Sequence, residues 1–244
     1  MTDKIGHVSE LWRYPVSSLG GERLDTALIG ETGVEGDRLY GVAAVSDEVA
    51  AEPVRPGWGA IANVRARMGD SGLEIAAPGG EWISAPGAEA DVSLSGFFGF
   101  EAVLRPLSDG PVPVAGPALA PRYRRAPVHL LTTASLARLK ALHPAGEPNP
   151  RRFRPNILID MPEVEGHFPE TEWIGRRIAV GDLEMTVVEP CSRCGFIMLA
   201  QDELGHDPEI LRSLVRNNGK NIGVYCSVDR PGEVSTGAPL RFVD

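Results

Sequence analysis

Short apolar runs cut by glycine or proline fill the first third of the chain, and they set the tightest limit on its fold. They fall at residues 8–14, 24–29, 33–45, 61–64, 73–75 and 82–83. Strand-like runs at this spacing, with glycines and other turn residues between and within them, predict strands of a β-barrel or sandwich. Val8, Leu11, Trp12 and Tyr14 favour a strand that Pro15 stops. No long amphipathic helix is predicted before residue 90, and the stretch 91–98 fits either a helical turn or a strand end.

After residue 121 the pattern becomes mixed. Residues 127–131 read as a strand, and Leu136, Leu139 and Leu142 behind a Thr132 or Thr133 cap predict an amphipathic helix closed by His143-Pro144. Residues 157–159 form a further strand. Residues 178–180 and 183–188 form a hairpin about Gly181-Asp182, and its second strand leads to Glu189-Pro190-Cys191-Ser192-Arg193-Cys194, where a polar loop begins. Residues 196–199 continue as a strand, 208–215 as a short helix, 217–221 as a polar turn and 222–228 as a strand, and a last hairpin closes at 240–243. Between the halves, Pro111, Pro113, Pro117 and Pro121 with small residues mark 109–121 as a linker or surface crossing. The reading is a mainly β protein with a few helices, a β-rich α+β fold, in two domains at 1–108 and 122–244.

Composition bounds the function. A chain of 244 residues with 43% hydrophobic content buries a sizeable core. A net charge of −9 argues against nucleic acid as a partner. No apolar run reaches the roughly 18 residues of a membrane span, so a cytoplasmic protein with no membrane partner is expected. Three cysteines imply free thiols in a reducing compartment.

Two features carry chemistry. Arg151, Arg152 and Arg154 precede a strand in an acidic protein, which suits either an anionic ligand or pairing with the 33 acidic residues. The turn 15–21, with Ser17, Ser18 and a Gly pair, is a further candidate for anion contact. The Cys191–Cys194 spacing is open to four readings: half of a structural zinc site, a redox dithiol, two inert buried thiols, or one reactive thiolate at Cys194 with Arg193 and other arginines lowering its pKa.

Trp12-Arg13-Tyr14-Pro15-Val16-Ser17-Ser18, Gly36-Asp37-Arg38, Arg152-Phe153-Arg154-Pro155-Asn156-Ile157, Ile178-Ala179-Val180-Gly181-Asp182 and Cys191-Ser192-Arg193-Cys194 occur in an order that resembles the MOSC superfamily. The similarity is to the branch that includes the mitochondrial amidoxime-reducing component and its bacterial relatives, and it covers essentially the whole chain. It implies an N-terminal β-barrel domain packed on a MOSC β-barrel domain. It also implies a molybdenum–molybdopterin cofactor with Cys194 as metal ligand and catalytic thiolate, and Ser17, Ser18, Arg38, Arg154, Asn156, Ser192 and Asn221 as cofactor contacts. Soft thiolate on molybdenum, and arginine and hydroxyl donors on the pterin phosphate, fit that chemistry. The implied activity is reduction of small N-hydroxylated compounds with electrons from a separate protein. Sulfur transfer through a Cys194 persulfide and a non-catalytic anion-binding module are the alternatives, and pyridoxal phosphate binding is a further association of the superfamily. Two departures stand out: Ser17-Ser18 replaces a Lys-Ser pair, and the loop after Cys194 is short and begins Gly195-Phe196.

Overall fold

The computed structural model describes residues 4–112, 116–123 and 126–243. The first half carries strands β1 (Lys4–Arg13), β2 (Glu22–Leu24), β3 (Thr26–Gly30), β4 (Gly33–Val34), β5 (Tyr40–Ala44), β6 (Arg65–Gly69), β7 (Gly72–Ala76) and β8 (Ile83–Ser84), then helix α1 (Ala88–Phe98) and β9 (Ala102–Pro106). The second half follows with β10 (Val128–Thr132), α2 (Thr133–Leu142), α3 (Pro150–Phe153), β11 (Ile157–Asp160), β12 (Arg177–Val180) and β13 (Leu183–Ser192). It ends with α4 (Pro208–Asn218), β14 (Asn221–Arg230), β15 (Gly232–Ser235) and β16 (Pro239–Val243). The β-rich expectation holds.

Seven strands close a barrel in the order β1-β11-β10-β14-β13-β12-β16, with β16 back against β1. β10 and β11 run parallel, and the other neighbours are antiparallel. The first strand of the chain therefore lies between β11 and β16, inside the barrel of the second half. Its apolar residues are three apart, which a regular strand would put on opposite faces. A bulge between Val8 and Glu10 corrects the register, and both Val8 and Leu11 are buried. On β13 the alternation is regular: Leu183, Met185 and Val187 face the barrel core. Each fully buried Leu, Ile or Val of that core contributes about 1.5–3 kcal/mol.

The N-terminal half wraps a second core with the pair β5–β9, the sheet β6-β7-β8 and α1. Phe196 and Leu199, from just beyond Cys194, complete that core, so the cysteine loop lies at the seam between the halves. The segment after residue 106 returns to the N-terminal half through bridges Leu107–Leu119 and Val49–Ala120, with Leu119 buried. A third cluster packs α2 and α4 on the outside of the barrel. Helix ends follow local chemistry. The Thr132 hydroxyl accepts from Ser135 N at 3.1 Å, Asp207 accepts from Glu209 N at 3.1 Å ahead of Pro208, and Gly219 ends α4 in the left-handed region.

Three local expectations are corrected. Residues 61–63 form a 3-10 turn (Ile61–Asn63), because four residues are too few to show a period that separates turn from strand. Phe196 to Met198 likewise lie in a 3-10 turn, Gly195–Met198. The strand leading to the cysteine motif runs through Cys191 to Ser192, so only Arg193 and Cys194 belong to the loop. The ambiguous stretch 91–98 is the body of α1, which Gly99 ends at φ 76°.

Candidate functional site

Cys194 sits where β13 has ended and the Gly195–Met198 turn begins, and its side chain is exposed while Cys191 and Cys226 are buried. Burial pushes the Cys191 thiol up, and that of Cys226 up to about 12. The two thiols of the motif are thus unlike: Cys194 is open to solvent and Cys191 belongs to the barrel wall. Among the described residues no three His, Cys, Asp or Glu side chains could together hold a metal ion, which removes the structural zinc reading there.

Cys194 lines a cleft of about 200 Å³ together with Ser17, Ser18, Arg38, Arg154 and Ser192. Six of the eight residues named from sequence meet there. Apolar walls come from Pro53, Leu107, Phe153 and Phe196. The Tyr123 hydroxyl donates to Cys194 Sγ at 3.7 Å, and burial together with the nearby sulfur holds the phenol above its ordinary range, so it remains a donor.

Asn156 and Asn221 are placed behind the cleft. Asn156 is fully buried; its Oδ1 accepts from His129 N at 3.1 Å and Arg38 Nη1 at 3.3 Å, and its Nδ2 donates to Trp12 O at 3.3 Å. It braces the arginine. Asn221 stands opposite Ser192 in the β13–β14 ladder.

The arginine run divides by task. Arg151 pairs with Asp202 and Glu203 at the surface, as acidic pairing predicted. Arg152 is buried and donates to the carbonyls of Glu147, Ile197, Leu199 and Gly205, tying down the chain after Cys194. Arg154 stacks on Tyr14 at 4.2 Å and donates to Leu19 O and Val16 O; burial and the neighbouring Arg38 lower its pKa to about 10, still charged at neutral pH. Arg38 pairs with Asp37 and donates to Arg154 O at 3.2 Å. Arg193, expected as a charge beside Cys194, turns its guanidinium inward onto Ile222 O at 3.1 and 2.9 Å and Phe153 O at 2.8 Å. Arg152, Arg154 and Arg193 are thus held by backbone carbonyls rather than by carboxylates. Carbonyl dipoles orient a guanidinium without cancelling its charge, so the cleft is locally positive in an acidic protein and attracts anions.

Sequence reasoning missed Tyr123, His129, Arg122 and Tyr225, all of which line the cleft. A histidine inside the apolar run 127–131 was the one local signal. Among the described residues lining the cleft there is no lysine amine, the group that pyridoxal phosphate bonds to, so the residues present do not support that association.

Fold and site together define a closed-barrel protein with an exposed thiol in an arginine-lined cleft. The family comparison agrees: the MOSC domain matches residues 105–241 and the MOSC N-terminal beta barrel domain matches residues 5–104, and the chain belongs to the MOSC family. It is 36% identical over 100 residues to molybdenum cofactor sulfurase 2 of Culex quinquefasciatus, covering 38% of this chain and 12% of that protein. It is 35% identical over 82 residues to molybdenum cofactor sulfurase 1 of Aedes aegypti, covering 33% of this chain and 10% of that protein. The chain therefore spans about a tenth of the length of these relatives. The solved structure of the YUAD protein from Bacillus subtilis superposes with a TM-score of 0.51 over 98% of this chain and 97% of that one at 15% identity, a likeness of fold. No helix among the described residues is long and apolar enough to cross a membrane.

Proposed function

We propose that the chain holds a molybdenum–pterin cofactor with Cys194 as the thiolate ligand and reduces small N-hydroxylated compounds with electrons from a separate protein. The observation that carries this reading is the exposed Cys194 thiol in a cleft where Arg152, Arg154 and Arg193 are held by backbone carbonyls rather than carboxylates. The donor set fits the group. Cys194 would offer a pterin-bound metal a single protein thiolate, a soft donor that suits molybdenum. Arg38 and Arg154 suit its phosphate, and the hydroxyls of Ser17, Ser18 and Ser192 suit its polar edge.

When bound, that cofactor supplies two-electron oxygen-atom transfer. The chain's own residues do the rest. Arg38 and Arg154 bind and orient charge, Tyr123 donates to the sulfur, and Pro53, Leu107 and Phe196 exclude water from the reacting face. The electrons for that reduction would be delivered by a separate redox protein.

Sulfur carriage on Cys194 is the second reading, favoured by the names of the relatives. One preparation from a cofactor-producing host separates the two. Molybdenum and pterin bound in about equal amounts, lost in Cys194→Ser and reduced about tenfold or more in Arg154→Ala, support the first reading. Active, folded protein free of both, with a sulfur adduct at Cys194 by mass spectrometry, overturns it in favour of the second.

A further inference from the structure

His129, in β10, lines the cleft and is only 2% exposed. Its Nδ1 lies 3.2 Å from Arg154 O, a partner that only accepts, so Nδ1 carries the proton and Nε2 is the acceptor. Arg193 Nη2 donates to that Nε2. Both ring nitrogens are therefore engaged, one with the arginine motif and one with the residue next to Cys194. The ring also packs edge-on to Tyr225, with centroids 5.7 Å apart.

The fold makes a seat for this ring. Gly223 has φ 75°, and a Cβ there would lie 2.3 Å from His129 Nε2 and 2.8 Å from Leu130 O. Gly223 N donates at 3.0 Å to Oε1 of Glu170, a fully buried carboxylate whose Oε2 accepts from Thr132 Oγ1 at 2.7 Å and Ser135 Oγ at 2.6 Å. A buried carboxylate satisfied on both oxygens is a rigid anchor. The contacts run without a gap from Glu170 through Gly223 and His129 to Arg193, whose backbone continues into Cys194.

We propose that His129 is a positioning residue for Cys194, a neutral imidazole that fixes the Arg193 guanidinium and thereby the backbone presenting the thiol to the cleft. The alternative, a catalytic base, has no free ring nitrogen to act with. The inference rests on the reading of Cys194 as the working thiol, and its test uses cofactor-free protein, so its failure is distinct from a failure to find molybdenum.

The experiment measures the alkylation rate of Cys194 by iodoacetamide, resolved by peptide mass spectrometry, with the buried Cys191 and Cys226 as internal references and thermal unfolding as the folding control. Losing one buried hydrogen bond shifts a local equilibrium about fivefold. His129→Leu is expected to raise the Cys194 rate by about that factor. His129→Gln, which offers one donor and one acceptor, is expected to return it to within about twofold of the parent. A purely structural role would show no rescue. If His129→Leu does not fold, Arg193→Ala probes the same link from the other side and is expected to give the same acceleration. A folded His129→Leu or Arg193→Ala protein whose Cys194 reacts at the parent rate, or a Gln variant that reacts like Leu, overturns the proposal.

Discussion

Ser18, Arg38 and Arg154 each hold a left-handed backbone, with φ of 68°, 50° and 55°. For a non-glycine residue this costs about 1–2 kcal/mol, and it persists where surrounding bonds dictate it, as with Arg38 N on Tyr14 O at 2.8 Å and Arg154 N on Pro150 O at 3.0 Å. Three of the five non-glycine residues with positive φ among the described residues line this one cleft, a clustering that strained backbone shows at functional sites generally and that is independent of motif. His129 adds a pH signature. Burial first, and Arg193 and Arg38 next, hold its pKa well below the ordinary value, and Tyr225 is the other titratable group against the ring. The unfolded chain takes up a proton below about pH 6.5 while the folded one does not. Stability is therefore expected to fall as pH drops through that value, by up to about 1.4 kcal/mol per pH unit for this one group. His129→Gln should lose that slope, as denaturant unfolding at pH 7.5 and pH 5.5 would show; equal slopes in parent and variant would refute it. Arg38, Arg154 and Cys194 were legible in the sequence because each sits in a short polar motif. Tyr123 and His129 were not, since a tyrosine just past a proline-rich crossing and a histidine in a buried strand carry no local mark of the sulfur or guanidinium they meet in space.

At the scale of elements, β14 is the one most exposed to error, because it pairs with β10 and β13 while carrying Gly223 at φ 75°. Gly223→Ala meets both the strained backbone and the His129 ring. A loss of roughly 1–3 kcal/mol in unfolding free energy is expected, together with faster alkylation of Cys194, and an unchanged melting curve would count against the seat described for the ring. The hairpin of β12 and β13 and the cap of α2 could be read in advance because Gly181-Asp182 and Thr132 act on near neighbours. The turns at Ile61–Asn63 and Gly195–Met198 could not, since their form is set by packing into the second core, which takes Ile61, Ala62 and Phe196.

For the whole molecule, the halves read from sequence are contiguous, whereas the barrel is not. β1 bonds to β11 through His7–Asp160 and Leu11–Ile157, and to β16 through Lys4–Arg241 and His7–Pro239. Such long-range partners leave no local trace, so no pattern in residues 4–13 could have disclosed them. A fragment of residues 105–244 is expected not to unfold cooperatively, because β11 and β16 would each keep an open edge. Calorimetry of the fragment checks this, and a sharp transition matching the parent would show that the barrel closes without its first strand.

The place of β1 also has a meaning in time. Of its partners β2 (Glu22–Leu24) follows at once, whereas β11 (Ile157–Asp160) and β16 (Pro239–Val243) are made much later, so during synthesis the barrel positions beside β1 stay empty long after the strand itself exists. The barrel cannot close before β16 exists, and until then an amphipathic strand lies open to wrong pairing, the stage at which shielding of the nascent chain would matter most.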